Sequence, residues 1–244
     1  MDDQIEQFIN LASYSTVESW RDRIFELGGE LGYEHILLAI FPDHHAPIEA
    51  EFAFLHSNYS PHWRSKYDDE KMGHVDPTVS HCATKVTPLI WTPDIFSARK
   101  QKEMYEEACG HGLRSGVTLP IHGANGELGV FCLVADMTPD KNFSRQAIRN
   151  IPTLSCLRDF VLETSLQFMK PAAQAENNVV LTPRELECLK WSAIGKSSWD
   201  IGEILNCTQA TVNFHFTNIR QKFGTSTRRQ ALVKAIRFGI INPL

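Results

Sequence analysis

The sequence lacks any uninterrupted apolar run close to the ~20 residues that a membrane-spanning helix requires. The first seven residues, MDDQIEQ, are acidic and have neither the basic start nor the apolar stretch of a secretory signal. Six cysteines stand at wide intervals without a CxxC pair, which argues against a zinc ribbon and against a disulfide framework. These absences predict a cytoplasmic protein with reduced thiols and no membrane partner.

Length and charge divide the chain into two regions. With 244 residues, 43% of them hydrophobic and 22% charged, the chain has a globular composition and a length that favours two domains. From residue 179 onward there are nine basic and four acidic residues, a net charge of +5, whereas the first 178 residues carry −10. The segment 170–178, KPAAQAENN, has almost no large apolar side chain and is typical of a linker. We therefore predict an acidic domain over 1–169 and a basic domain over 179–244, and only the second is expected to approach phosphate.

Strand and helix patterns alternate in the first region. The Asn125-Gly126 pair between two of the apolar runs favours a tight hairpin turn, which predicts an antiparallel sheet. The expected fold class is α+β: an N-terminal α-β-α sandwich with an antiparallel sheet, followed by an all-α helix-turn-helix domain. The predicted strands are His35–Phe41, Glu51–Leu55, Gly116–His122 and Glu127–Ala135. The predicted helices are Ile5–Leu27, Arg64–Met72, Arg99–Cys109 and Ser144–Met169, the last with Ile148, Ile151, Leu154, Leu157, Val161 and Phe168 at helical spacing.

The basic region predicts four short helices. Thr182 and Glu185 form a capping box with Pro183 at the first helical position, and Gly195 ends this helix beyond Ala193. The second helix is capped by Ser197 or Ser198 and runs to Leu205. The third helix runs from Gln209 to Phe223, with Thr208 as its cap and Gly224 as its terminator. The fourth helix runs from Arg228 to Phe238 and is terminated by Gly239.

The third of these helices has two distinct faces. An apolar stripe of Val212, Phe216, Ile219 and Phe223 predicts the buried side, while Asn213, Thr217, Arg220 and Gln221 occupy the opposite face. Amides read base edges in a major groove and basic side chains neutralise phosphate, so the polar face suits DNA. The alternative is an ordinary solvated helix, but the local positive charge and the short turn before the helix favour DNA.

This region resembles the LuxR-type DNA-binding domain over its whole length. The resemblance implies that the third helix is the recognition helix, with Asn213 and Thr217 at the positions that reach bases. We predict further DNA contacts from Arg220, Lys222, Lys196 and Ser198. The residues that carry the resemblance are Glu185, Leu189, Gly195, Ile201, Thr211, Val212, His215, Asn218, Ile219, Lys222 and Phe223.

Aromatic residues are concentrated between residues 58 and 96, together with an aspartate and a threonine. Aromatic walls with a few fixed polar groups suit a pocket for an amphipathic ligand, although core packing is the more ordinary reason for such residues. Most of residues 1–170 resembles the autoinducer-binding domain of LuxR-type quorum-sensing receptors. Trp63, Tyr67, Asp76, Pro77, Trp91 and Gly116 fall on its signature positions.

This second resemblance implies an N-acyl-homoserine lactone as signal ligand and no other cofactor. By it, Trp63 donates to the lactone carbonyl, Asp76 accepts from the ligand amide, and Tyr59 with Thr78 donates to the acyl carbonyl. Trp91 and Phe96 pack on the lactone ring, and Tyr67 and Val79 complete the predicted site.

Three positions bear on ligand specificity. Cys132 and Phe96 replace a serine and a tyrosine of related receptors, and a thiol is the weaker donor. Arg64 matches a position that is linked to 3-oxo recognition in a subgroup of the family. With small or medium walls at Leu37, Ala39, Val79 and Val130, we expect a medium-to-long acyl chain, with 3-oxo favoured.

We further expect a homodimer that reads an inverted repeat, with residues 152–169 and the fourth C-terminal helix as contacts and RNA polymerase as a further partner.

Two alternative functions are more weakly supported by the sequence. A phosphorylated response regulator needs an acidic pair after its first strand, and Asp2-Asp3 precedes every strand. A lactone hydrolase needs metal ligands at compact spacing or a nucleophile elbow. Neither is found in the sequence, and the compact spacing is absent from the candidate ligands Asp43-His44-His45, His74, His81 and His111. We therefore expect no catalytic residues, no metal site and no enzymatic activity.

Overall fold

The computed structural model describes residues 2–42, 49–124, 126–169, 180–238 and 240–241. The chain divides into two compact units, Met1–Lys170 and Pro171–Leu244. The division falls inside the segment predicted as a linker, which itself lies outside the described residues.

A five-stranded antiparallel sheet is the centre of the first unit. Its strands are β1 (His35–Phe41), β2 (Phe54–Ser57), β3 (Leu89–Ile90), β4 (Ser115–His122) and β5 (Leu128–Ala135), in the order β2-β1-β5-β4-β3. The predicted strand Glu51–Leu55 is wrong in its first half, because Ala50–Phe52 forms a 3-10 turn and β2 begins only at Phe54. The hairpin between β4 and β5 is present, with Gly126 at φ +98°, and Asn125 lies outside the described residues. β3 was not predicted, because a strand of two residues is too short to show an alternation of apolar and polar side chains.

Within the described residues of this unit, six α-helices surround the sheet: α1 (Asp2–Ile9), α2 (Val17–Glu30), α3 (Pro61–Asp69), α4 (Pro77–Thr84), α5 (Arg99–Gly110) and α6 (Lys141–Ser165). The single predicted helix Ile5–Leu27 is wrong, because the chain leaves the helix after the 3-10 turn Asn10–Ser13 and starts again where Thr16 caps α2. The predicted helix Arg64–Met72 begins earlier, where Ser60 caps α3 and Pro61 takes the first position. Ile148 does not join the buried stripe of α6, since 58% of it is exposed.

The two faces of the sheet bury different sets of side chains. On β1, Ile36, Leu38 and Ile40 face a core shared with α1, α2 and α6, and they are at most 1% exposed. Leu37 and Ala39 alternate with them and face a second cluster, shared with α3 and α5. This alternation confirms the predicted helix-sheet-helix architecture, because successive strand residues point to opposite faces.

The second unit consists of α7 (Pro183–Ala193), α8 (Ser198–Leu205), α9 (Gln209–Lys222) and α10 (Arg228–Arg237). The predicted caps are formed: Thr182 Oγ1 accepts from the Glu185 amide at 3.3 Å, and the Glu185 carboxylate accepts from the Thr182 amide at 2.7 Å. Gly195 and Gly224 have the left-handed φ values of +87° and +58° that end α7 and α9. α9 and α10 each end one residue before the predicted end, and Gly239 lies outside the described residues. The predicted stripe is the core of this unit: Val212, Phe216, Ile219 and Phe223 are all buried.

Candidate ligand cavity and nucleic-acid interface

A cavity of about 370 Å³ lies against the second face of the sheet, bounded by α3, α4 and α5. The fold brings together residues from seven separate segments at its wall. All ten residues predicted to bind the ligand line it: Tyr59, Trp63, Arg64, Tyr67, Asp76, Thr78, Val79, Trp91, Phe96 and Cys132. Sequence reasoning missed the contribution of α5 and the turn after it, Met104, Tyr105, Ala108 and Leu113, although the apolar side of the predicted helix was a signal for them.

Asp76 is the most heavily hydrogen-bonded group of the cavity wall. It caps α4 through the Thr78 amide, which donates to Oδ1 at 2.8 Å, and the Thr78 hydroxyl donates to the same oxygen at 2.7 Å. The Tyr67 hydroxyl donates to Oδ2 at 2.9 Å. Burial raises the pKa of Asp76, and the hydrogen bonds from Thr78 and Tyr67 oppose that rise. The Val79 backbone amide adds a further hydrogen bond that lowers the pKa of the same carboxyl group.

The Thr78 bond corrects one predicted role. Its hydroxyl was expected to donate to the ligand together with Tyr59, but its proton is directed to Asp76. Tyr59 remains as the donor: its hydroxyl is buried and makes no hydrogen bond to any described residue. Burial raises the pKa of Tyr59 well above its usual value, so the phenol stays protonated. A buried unpaired hydroxyl costs about 1 to 3 kcal/mol, which a ligand carbonyl would recover.

Trp91 and Cys132 are connected through a residue that was not predicted. The Trp91 indole donates to Thr118 Oγ1 at 2.7 Å, and Thr118 Oγ1 lies 3.3 Å from Cys132 Sγ. Burial raises the pKa of Cys132 to about 12, so its side chain is a neutral thiol. The Cys132 sulfur is therefore positioned by Thr118, on the neighbouring strand β4. The threonine could have been found from its even-numbered position on β4, opposite Cys132.

Aromatic rings form much of the remaining wall. Phe96 stacks on Tyr105 with ring centroids 4.3 Å apart and an interplanar angle of 12°. Trp63 is 3% exposed and lies 5.9 Å from Tyr67 and 5.6 Å from His111 between ring centroids. These contacts hold the rings in fixed orientations, as a specific binding site requires.

Arg64, the predicted 3-oxo contact, is held by its own helix. Its Nη2 donates to both oxygens of Asp68 at 2.6 and 2.7 Å, and its guanidinium lies 5.2 Å from the centre of the Tyr67 ring. Glu49 and Lys71, which also line the cavity, are paired at 3.2 Å. The charged groups at this part of the wall are thus paired, and the cavity presents mainly apolar surface.

Gly116 allows Trp91 to pack against β4. The Trp91 amide donates to the Gly116 carbonyl at 2.8 Å, and a β-carbon on Gly116 would lie 2.9 Å from the Leu133 oxygen and 3.3 Å from Trp91 Cδ2. We predict that Gly116→Ala displaces Trp91 and lowers the free energy of unfolding by about 1 to 3 kcal/mol, as overpacking does. Thermal unfolding of the full chain measures this, with Gly110→Ala as control, because nothing lies within 4 Å of a β-carbon there. Equal melting temperatures for the two variants would contradict the prediction.

In the second unit, the predicted DNA-contacting side chains differ in availability. Asn213 and Lys196 are exposed, and the Asn213 amide makes no side-chain hydrogen bond to the described residues. Thr217 donates to the Asn213 carbonyl at 3.1 Å and accepts from Arg220 Nη2 at 3.2 Å. Arg220 also donates to the carbonyls of Phe216 and Ser226, and Ser198 Oγ accepts from Arg228 at 3.0 Å. Of the residues predicted to contact bases, Asn213 is therefore the one whose side-chain amide is available to form hydrogen bonds with DNA.

Lys222 departs from its predicted role. Its Nζ donates to Glu185 Oε2 at 2.7 Å and to the Val180 carbonyl at 2.9 Å, so the ammonium group is bonded to the capping box of α7. Burial alone would raise the pKa of Glu185, but the hydrogen bonds from Lys222 and Thr182 lower it. Sequence reasoning also missed two exposed aromatic residues, Trp199 on α8 and Phe214 on α9.

Neither a membrane span nor a metal cluster is found in the described part of the chain. None of its helices is long and apolar enough to cross a bilayer, and no group of three or more His, Cys, Asp or Glu side chains could hold a metal ion there. Of the histidines weighed as metal ligands, His44 and His45 lie outside the described residues.

Comparison with known proteins identifies both units. Residues 16–165 match the family described as autoinducer binding domain, and residues 179–235 match the bacterial regulatory proteins of the luxR family. The chain is 36% identical over 218 residues to the transcriptional activator protein LuxR of Aliivibrio fischeri, covering 86% of this chain and 82% of that protein. It is 32% identical over 217 residues to the transcriptional activator protein VanR of Vibrio anguillarum, covering 89% and 88%.

Solved structures share the fold. SdiA in complex with octanoyl-rac-glycerol superposes with a TM-score of 0.76 at 22% identity, covering 98% of this chain and 95% of that one. Escherichia coli SdiA in another crystal form gives a TM-score of 0.75 at 24% identity, covering 98% of each chain. With both units matched and relatives covering most of its length, the chain belongs to the LuxR family of transcription regulators, with an autoinducer-binding domain followed by a helix-turn-helix DNA-binding domain.

Proposed function

We propose that this protein is a quorum-sensing regulator whose signal is an N-acyl-homoserine lactone with a medium-to-long acyl chain, 3-oxo favoured. One observation carries the proposal. An apolar cavity presents a phenol that has no partner among the described residues, Tyr59, and a buried carboxylate, Asp76, in the same wall. A secondary amide has one acceptor and one donor, and this pair satisfies both.

In the bound state Tyr59 donates to the acyl carbonyl and Asp76 accepts from the amide N–H. Trp63 donates to the lactone carbonyl, and Trp91 and Phe96 pack against the ring. Leaving either end of a buried amide unpaired costs about 1 to 3 kcal/mol, which is enough to discriminate against ligands without it. The cavity volume of about 370 Å³ lies within the usual range for small-molecule sites and accommodates an acyl chain beside the ring.

Ligand binding stabilises the folded sensor by mass action, because the cavity exists only in the folded state. The holo protein then assembles as a homodimer through residues 152–169 and α10. Two copies of α9 enter successive major grooves of an inverted repeat, and RNA polymerase is recruited beside them in the cytoplasm. Asn213, Thr217 and Arg220 read or position the operator, while Lys196 and Ser198 contact its backbone.

The experiment is expression of the full chain with a panel of lactones, followed by extraction and mass spectrometry of the ligand that remains bound. Acyl chains of eight or more carbons, in their 3-oxo form, are expected to give the most soluble protein. Octanoyl-rac-glycerol serves as a control, since it has no amide N–H for Asp76 and should be retained less well. Preference for a four-carbon chain would refute the assigned chain length, and turnover of the lactone would support the hydrolase alternative.

The oligomeric part has its own test. Sedimentation of the ligand-bound protein at micromolar concentration should show a dimer, and binding to an inverted repeat should be tighter than binding to a half-site. A monomer that binds both duplexes equally would overturn this part of the scheme and leave the assigned ligand unaffected.

A further inference from the structure

The exposed face of α9 carries a large apolar side chain at its centre. Phe214 is 61% exposed, and it follows Val212 of the buried stripe by two residues, a rotation of about 200° around the helix. It therefore points directly away from the core of the unit. Ala210 is also exposed and lies one turn earlier on the same face. The predicted polar residues Asn213 and Thr217 lie to one side of this apolar line.

An exposed phenylalanine in the middle of a DNA-binding surface is placed to contact a hydrophobic group of the DNA. Thymine supplies one, because its 5-methyl group projects into the major groove, where phenyl and methyl side chains make apolar contact with it. The domain that carries Phe214 has a net charge of +5, which favours a polyanion over an ordinary protein surface. The ring of His215, with its centroid 6.1 Å away and inclined at 60°, supports Phe214 from the side.

We propose that Phe214 determines operator specificity by contacting thymine 5-methyl groups in the major groove, next to an adenine read by Asn213. The two roles are complementary. An asparagine amide binds adenine N6 and N7 in a bidentate manner, and the methyl group of the paired or adjacent thymine lies on the same groove edge. Thr217 and Arg220 are bonded to each other, whereas Asn213, Phe214 and Gln221 are exposed side chains of this face with no side-chain hydrogen bond to the described residues. The inference rests on the proposed function of α9 as the recognition helix.

The test begins with selection of an operator from random duplexes by the full ligand-bound chain. Each thymine of the selected site is then replaced singly by deoxyuridine, which removes only the methyl group. For the unmodified protein we expect one or two positions per half-site at which this replacement weakens binding about fourfold, the value for one buried methyl. For Phe214→Ala, the same replacements should have no effect.

Trp199→Ala is the matched control. Trp199 is an equally exposed aromatic residue, 60% accessible, on α8 instead of α9, and its removal should leave the deoxyuridine effect intact. Because both side chains lie outside the core, thermal unfolding should be unchanged in both variants. Equal deoxyuridine effects in Phe214→Ala and the unmodified protein would overturn the inference and indicate a protein partner for Phe214 instead. A specific operator that is bound regardless of the lactone would overturn the proposed function but not this reading of thymine, whereas failure to select any duplex would overturn both.

Discussion

Asp76→Ala is expected to remove the response to the proposed acyl-homoserine lactone, weakening ligand binding by about 10- to 100-fold. The basis is that a hydrogen bond to a charged group contributes about 1.5 to 3 kcal/mol, and about 1.4 kcal/mol corresponds to a factor of ten. The substitution also leaves the Tyr67 hydroxyl and both Thr78 donors without their acceptor. Retention of ligand by the soluble chain, followed by mass spectrometry, gives the measurement.

Because Asp76 also caps α4, the variant series has to separate folding from recognition. Asp76→Ser keeps a good capping residue and should recover most of the stability that alanine loses, without recovering the ligand. Asp76→Asn keeps the size but offers an amide in place of a carboxylate. Asp69→Asn, on the exposed surface of α3, is the matched control and should bind normally. Wild-type affinity in Asp76→Asn would show that the carboxylate charge has no role in recognition.

Lys222→Met is expected to destabilise the second unit by about 2 to 3 kcal/mol. Removing one partner of a buried ion pair costs about 3 to 5 kcal/mol, and the smaller figure applies because a third of the Lys222 side chain is exposed. The Glu185 carboxylate, itself only 3% exposed, would keep its bond from the Thr182 amide and lose its cation. Amide hydrogen exchange in the full chain measures the loss locally, at buried α7 and α9 residues such as Leu189 and Ile219.

Two controls distinguish this structural role from the DNA contact predicted for Lys222. Lys190→Met removes an exposed lysine of α7 and should leave protection unchanged. If Lys222 contacts phosphate instead, the variant should keep its protection and show a salt dependence of DNA binding reduced by about one counterion. That result would contradict the structural role.

The ion pair also makes the stability of this unit depend on pH. Since the pKa of Glu185 is lowered in the folded state, its stabilisation is complete above the ordinary glutamate pKa and is lost as the pH falls through the lower folded value. Protection of α7 and α9 should therefore decline in acid, and in Lys222→Met this decline should be smaller.

Local signals in the sequence were sufficient for much of the fold. The caps at Thr182, Ser197 and Thr208 and the glycines after α7 and α9 predict the second unit to within one residue, because each signal acts on its own helix. The helix boundaries of the first unit were harder to predict from local signals. The break between α1 and α2 depends on packing of Leu11 and Trp20 into a common core, and a continuous helical period conceals it.

The same distinction applies to the two sites. The family resemblance supplied the residues of the cavity wall, and the structure gathers them, but hydrogen bonds redistribute their roles. Thr78 serves Asp76, and Cys132 is held by Thr118, a partner fourteen residues away that only the pairing of β4 with β5 brings close. On α9, residue type suggested polar readers, whereas the rotation of the helix places Phe214 at the centre.

The alternation along the strands separates two kinds of evolutionary change. On β1, even-numbered residues support the packed core and odd-numbered residues face the cavity; on β4 and β5 the parity is reversed. Substitutions of one parity therefore alter how much protein survives in the cell, whatever signal is present. If the cavity binds the proposed signal, substitutions of the other parity shift the signal concentration at which the regulator responds. Evolution can thus change which signal molecule is recognised by changing alternate residues of three strands, while the residues of the packed core stay the same.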